Sequence, residues 1–126
     1  MNIVGLGFDV TDIPRVADLF RRYGDHFLRR VYTEHEIAYC TRRRNPAPHL
    51  AGRFAAKEAA MKALGTGHSR GVIWKDVEVF RAGGPPQLRL RGQAGLIAER
   101  MNVRRSLLTI SHSDLLAMAQ VLLLAE

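Results

Sequence analysis

Four charged side chains fall within ten residues of an alanine-rich stretch: Arg53, Lys57, Glu58 and Lys62. At about 100° per residue, residues 50–65 place Leu50, Phe54, Met61 and Leu64 on the half of a helical wheel that also carries Arg53, Lys57 and Glu58. The other half holds Ala51, Gly52, Ala55, Ala56, Ala59, Ala60 and Ala63, with Lys62 at its edge. Neither half is a polar stripe, so this helix is expected to be buried on most sides and closely packed. Charges on a buried helix need partners, and loss of a partner typically costs ~3–5 kcal/mol. Glu58 and Lys62, spaced i, i+4, can neutralise each other. That salt bridge leaves Arg53 and Lys57 unaccounted for, and four charges so close together also suit a site for a metal and an anion.

Asp9 complements Glu58. It closes an otherwise uncharged run from Met1, where it can cap a helix or reach a ligand. Mg²⁺ takes one or two protein carboxylates and completes its shell with water and phosphate oxygens. Asp9 and Glu58 with nearby Lys and Arg have that composition, whereas no Cys/His set has zinc spacing. Gly65-Thr66-Gly67 ends the helix and offers backbone N–H groups beside these charges, although a lone G-x-G is most often a helix stop. His112 ends the alternating run Leu108-Ile110-His112, as a hydrogen-bonded structural residue or as a ligand for phosphate.

The elements that must position these groups can be read from periodicity. Residues 3–10 alternate as a strand, with Val4, Leu6, Phe8 and Val10 on one face and Ile3, Gly5, Gly7 and Asp9 on the other. The two glycines leave the Asp9 face thin, so a neighbouring element or ligand can approach closely. Thr11 or Asp12 caps a following helix, with Pro14 in its first turn and Gly24 after Tyr23. Short helices are expected over 25–40, with a capping box at Thr33 and Glu36. A basic loop covers 42–48, the long helix 49–64, strands 72–81 and 87–91 flank a turn at 83–86, a helix covers 93–101, and a strand 106–112. Residues 115–125 favour helix by propensity, yet a strand buried on both faces has the same apolar composition.

The chain has 126 residues and formal net charge +7, with 47% hydrophobic and 25% charged residues. These values predict one globular domain over 1–126 and exclude a disordered, collagen-like or disulfide-stapled chain. Cys40 is the one cysteine, which suits a reducing compartment. With no leader-like start and no apolar run near the ~20 residues of a membrane helix, the expectation is a cytoplasmic protein with no membrane partner. Sixteen of the 19 basic residues are Arg, whose planar fork of donors suits phosphate and carboxylate. The partners implied are phosphorylated ligands, nucleic acid or an acidic protein.

Gly5-Leu6-Gly7-Phe8-Asp9-Val10 and the block from Arg53 to Gly67 (RFAAKEAAMKALGTG) resemble the two signatures of holo-acyl-carrier-protein synthases, the short bacterial-type 4′-phosphopantetheinyl transferases. Trp74 to Val79, the turn from Gly84 to Pro86, and Leu108 to His112 follow in the family's order. The resemblance implies an α+β fold, a small antiparallel sheet packed by one long central helix, with 115–125 as a strand. It implies a homotrimer with sites at subunit interfaces, which moves 4′-phosphopantetheine from coenzyme A to a serine of apo acyl carrier protein and releases adenosine 3′,5′-bisphosphate. By the family pattern Asp9 and Glu58 would hold Mg²⁺. Lys62 would stabilise charge on the reacting phosphate, with the general base left open among a metal-bound water, a carboxylate and Lys62. Arg53 and His112 match positions near the 3′-phosphate of coenzyme A, and Lys57, Gly65, Thr66 and Pro86 match the nucleotide and pantetheine path. Arg15 and, less closely, Arg22 match carrier-contact positions. Leu19 shares their helix face, and a positive patch there would steer an acidic carrier. Phe8 is bulkier than the family's usual residue before the aspartate, and Asp12 stands where Glu is common.

Two other classes compete. A basic nucleic-acid-binding domain without catalytic activity suits the charge, but no expected strand displays paired aromatics for base stacking, and the charged central helix would have no role. A structural trimerisation module would need no metal.

Overall fold

The computed structural model describes residues 2–125. Strand β1 (Asn2–Asp12) leads into helices α1 (Ile13–Tyr23), α2 (Asp25–Val31) and α3 (Glu34–Thr41), then the long helix α4 (Pro46–Leu64). A 3₁₀ turn at Trp74–Asp76 precedes strands β2 (Val77–Arg81) and β3 (Pro86–Leu90). Helix α5 (Gly92–Arg100) and strands β4 (Val103–His112) and β5 (Leu116–Ala125) complete the order. Strand β5 lies between β1 and β4 in an antiparallel sheet, while β2 and β3 form a separate antiparallel pair. This is the expected α+β arrangement, with α4 packed across β1 and β5.

Local chemistry accounts for most boundaries. The Asp12 carboxylate accepts the Arg15 N–H at 3.2 Å, so Asp12 is the cap of α1, and Pro14 sits in its first turn. Thr33 and Glu36 form the expected capping box of α3. Helix α4 starts at Pro46, three residues earlier than periodicity predicts, because Pro46 and Pro48 lie in a first turn whose N–H groups need no helical partner. The expected strand 72–81 shortens to β2. Ahead of it the chain winds into the 3₁₀ turn, where Asp76 Oδ2 accepts the Ile73 N–H at 3.2 Å. Residues 116–125 adopt the strand conformation against their propensity. As the middle strand β5 is hydrogen-bonded on both edges, and Ala117, Ala119, Val121 and Leu123 are buried against the helix layer.

Where α4 crosses β1, backbone meets backbone. A Cβ on Gly7 would overlap the Ala59 carbonyl oxygen and lie 2.9 Å from the Ala63 nitrogen, and one on Gly5 would overlap the Ala63 carbonyl oxygen. Only glycine admits the helix this close, and the contact brings β1, with Asp9 on it, beside the Glu58–Lys62 turn. The Val4, Leu6, Phe8 and Val10 face points away from the helix into solvent, with Phe8 51% exposed and Leu6 58% exposed. The register continues this outer face across the sheet as Leu6–Leu122–Leu107, Phe8–Gln120–Thr109 and Val10–Met118–Ser111.

The core has two parts. One lies between α4, α5, β2 and the inner sheet face, and the other gathers Ile13, Val16, Phe27, Leu28, Tyr32 and Leu50 around the short helices. Among the described residues no helix is long and apolar enough to cross a membrane.

Candidate active site

Lys62 leaves α4 beside the glycine seam and reaches β1. Its Nζ donates to Asp9 Oδ1 at 3.0 Å and to the Phe8 carbonyl at 3.0 Å. The other Asp9 oxygen accepts from the Thr11 hydroxyl at 3.1 Å. Glu58, one turn before Lys62, instead faces His68, whose Nε2 lies 3.3 Å from Glu58 Oε2. The i, i+4 salt bridge between Glu58 and Lys62 therefore does not form, and each charge turns to a different element. The His68 ring rests against Trp74 with centroids 4.3 Å apart, and Trp74 against Phe54 at 4.7 Å. Asp9 and Lys62 thus meet at the strand–helix seam, and Glu58 sits one helical turn before Lys62 with its carboxylate toward His68; Lys62 and His68 are half exposed. Gly65, in the left-handed conformation at φ 77°, ends α4, and Thr66 is buried with its hydroxyl donating to the Gly67 carbonyl at 2.9 Å.

A second cluster forms about one and a half turns back along α4. Arg53 and His112 line one cavity of about 130 Å³ together with Tyr39, Pro48, His49, Gly52, Arg81 and Ile110. No Asp or Glu lines it. Arg53 is 5% exposed, and its Nε has no hydrogen-bond partner among the described residues. Burial lowers the pKa of His49 below its ordinary 6.5, and the nearby Arg43, Arg53, His112 and Arg81 add to the shift. A basic, acid-free cavity with an unpartnered buried guanidinium nitrogen has the chemistry to receive an anion. Pro86 stands opposite Arg81 in the β2–β3 ladder, near the same end of the molecule.

Lys57 occupies a different place from the ligand path expected of it. Its side chain is wholly buried, with Nζ 2.8 Å from Glu36 Oε1 and donating to the Trp74 carbonyl at 3.2 Å and the Val77 carbonyl. Burial lowers its pKa, and Glu36 opposes that shift. Glu36 Oε2 also accepts the Val79 N–H at 2.8 Å. Lys57 and Glu36 therefore tie α4, α3 and β2 together, as a buried ion pair does when its remaining hydrogen-bond positions are filled.

Arg15 and Arg22 are exposed on α1, and Leu19 between them is half-buried against the second core. Arg22 also approaches Asp18 at 3.6 Å. His68, Tyr39, His49 and Arg81 were not anticipated. His49 had a usable signal, since it precedes Arg53 by one helical turn. His68, Tyr39 and Arg81 come from loop, helix and strand positions that no local spacing connects to α4.

Known proteins share this chain's sequence pattern and fold. The family model described as the 4′-phosphopantetheinyl transferase superfamily matches residues 5–115. A holo-[acyl-carrier-protein] synthase of Koribacter versatilis is 47% identical, over 96% of this chain and 98% of its own length. The crystal structure of holo-[acyl-carrier-protein] synthase from Neisseria meningitidis superposes with a TM-score of 0.88 at 28% identity, covering 98% of this chain and 99% of that one. The Bacillus anthracis holo-(acyl-carrier-protein) synthase in complex with CoA (3′,5′-ADP) gives 0.81 at 34% identity, covering 98% of each chain. With a family match across most of its length and a relative nearly half identical over almost all of it, the chain belongs to the 4′-phosphopantetheinyl transferase superfamily, among the holo-[acyl-carrier-protein] synthases.

Proposed function

We propose that this protein transfers 4′-phosphopantetheine from coenzyme A to a serine hydroxyl of an apo acyl carrier protein. The observation that carries the proposal is the spacing of the two charged clusters on α4. The carboxylate–lysine group at Asp9, Glu58 and Lys62 and the acid-free cavity at Arg53 and His112 use α4 positions that lie five residues (Glu58) and nine residues (Lys62) from Arg53, or about 7.5 and 13.5 Å along the axis. A nucleotide carrying a 5′-diphosphate and a 3′-phosphate presents two anionic groups separated by one sugar. The seam suits the diphosphate and the cavity suits the 3′-phosphate.

In the reaction the serine oxygen forms a bond to the pantetheine phosphorus, and the bond from that phosphorus to the bridging diphosphate oxygen breaks. Adenosine 3′,5′-bisphosphate leaves and the hydroxyl proton is lost. Such a transfer depends on position and on neutralising crowded negative charge. Lys62, held by Asp9 and the Phe8 carbonyl, places an ammonium group at the seam where that charge develops. Asp9 and Glu58 fit a magnesium ion, because they are two hard oxygen donors and because Asp9 already attracts a cation, the Lys62 ammonium at 3.0 Å. When bound, Mg²⁺ supplies Lewis-acid polarisation of the diphosphate oxygens. Gly65 and Thr66 at the helix end and Pro86 border the nucleotide path in this reading, and Lys57 supports it from inside.

Arg15, Leu19 and Arg22 form the face that receives the acidic carrier, since α1 follows directly on the strand that carries Asp9. The apolar outer face of the sheet is covered by further copies of the chain in a homotrimer, and a cytoplasmic location belongs to the same reading. The test is incubation with coenzyme A, apo acyl carrier protein and Mg²⁺, followed by mass spectrometry. The expected result is a carrier heavier by one phosphopantetheine. No adduct on several apo carriers, together with salt-sensitive RNA or DNA binding, would overturn the proposal in favour of a nucleic-acid-binding domain.

A further inference from the structure

Two guanidinium groups use one aromatic ring. Arg53 Cζ lies 4.0 Å and Arg43 Cζ 4.1 Å from the centroid of Tyr39, and the His49 ring meets Tyr39 edge-on at 6.2 Å. Arg43 comes from the exposed loop between α3 and α4, and Arg53 from the buried centre of α4. No ion pair between either arginine and a carboxylate occurs among the described residues. The electron-rich face of Tyr39 is the feature that draws two like charges to the same place. Tyr39 also lines the basic cavity, where the Arg53 Nε is without a partner.

We propose that Tyr39 is the positioning residue of this anion receptor, holding Arg53 and Arg43 in place before the ligand arrives. It thereby sets the preference for coenzyme A over the same coenzyme without its 3′-phosphate. The inference rests on the reading above that the cavity receives the 3′-phosphate. Arginine side chains are long and flexible, and a receptor that must order them on binding loses affinity to that ordering. Two guanidiniums already lying against a rigid ring present their forks of donors without it. The effect belongs to binding of one phosphate, so it should appear in KM for coenzyme A and leave both kcat and the handling of dephospho-coenzyme A unchanged.

The experiment measures kcat and KM for coenzyme A and dephospho-coenzyme A in the wild type, Tyr39→Phe and Tyr39→Leu, with calorimetric binding of adenosine 3′,5′-bisphosphate and AMP alongside. The wild type should prefer the 3′-phosphorylated member of each pair. Tyr39→Leu should lose at least about tenfold of that preference through weaker binding of the 3′-phosphorylated member alone, and Tyr39→Phe, which keeps the ring face, should retain it. Arg43→Met, on an exposed loop, should lower the same ratio and carries the test if the leucine variant does not fold. An unchanged ratio in both Tyr39→Leu and Arg43→Met, or an equal loss for both members of each pair, overturns the role of Tyr39 and leaves the 3′-phosphate reading standing. A wild type that does not distinguish the two members overturns that reading and this proposal together.

Discussion

Asp9 and Glu58 enter the proposed site from opposite ends of the argument from sequence, one as the sole charge in an apolar strand and the other as part of a charge cluster on a helix without a polar face. Asp9→Asn and Glu58→Gln each keep the side-chain volume and remove the charge. Each should lower kcat by more than about a hundredfold, since metal and charge stabilisation of such a transfer is worth several kcal/mol. Their melting temperatures should stay near the wild-type value, and recovery of normal rates in both variants at saturating Mg²⁺ would count against their assignment. His49 gives a prediction in pH. Its folded pKa is lowered by burial and by the arginines around it, so the unfolded chain takes up a proton first as pH falls. The associated stability is complete above about 6.5 and declines as pH drops below that value. Denaturant titrations at pH 7, 6 and 5 should find His49→Gln losing less stability across this range than the wild type. The charged residues of α4 were legible because helical spacing is local, and this is also why Glu58 and Lys62 looked like partners. Choosing His68 for one and Asp9 for the other requires the loop after the helix and a strand 53 residues away, which no spacing rule contains.

At the scale of elements, the contact between β1 and α4 rests on what Gly5 and Gly7 lack. Gly7→Ala would drive a methyl group into the Ala59 carbonyl, and separating strand from helix should cost at the upper end of the ~1–3 kcal/mol typical of overpacking. Because the same movement takes Asp9 away from Lys62, kcat should fall even at temperatures where the variant remains folded. Comparing the melting temperature with the rate well below it checks both halves. Lys57→Met tests the tie between α4, α3 and β2. It strands the Glu36 carboxylate inside the protein, and breaking a buried pair costs about 3–5 kcal/mol, readable as a lowered denaturation midpoint. The close approach was foreseeable from two glycines beside an alanine-rich helix. Composition left 115–125 open between helix and strand and the family resemblance implied the strand; propensity did not, because it is summed over neighbours along the chain and this segment answers to β1 and β4 on either side. The early start of α4 at Pro46 was hidden for a related reason, since a proline pair reads as a loop until it falls in the first turn of a helix.

For the whole molecule, the sheet's outer face is the surface on which the proposed homotrimer rests. Leu6, Phe8, Val10, Leu107 and Leu116 are all more than two-fifths exposed in the single chain, a contiguous apolar area of the kind that marks an interface. Phe8→Glu should convert the protein from a trimer to monomers by size-exclusion chromatography with light scattering, while circular dichroism remains that of a folded chain. A wild type that runs as a monomer at every concentration would remove the trimer from the proposed function. Alternation separated the two faces of β1 from Val4 onward, with Ile3 exposed beyond the register shift next to Gly5, and the two glycines marked the Asp9 face as the one that meets the helix, leaving the apolar face outside. Its position in water has a consequence for how this chain responds to its ionic surroundings. Copies of one chain at net charge +7 repel one another at a distance and adhere only on contact, whereas an acidic carrier is drawn in from afar. Added electrolyte, by screening both fields, would ease the meeting of like with like and weaken the pull on the carrier, so self-association and substrate capture would answer the same change with opposite sign.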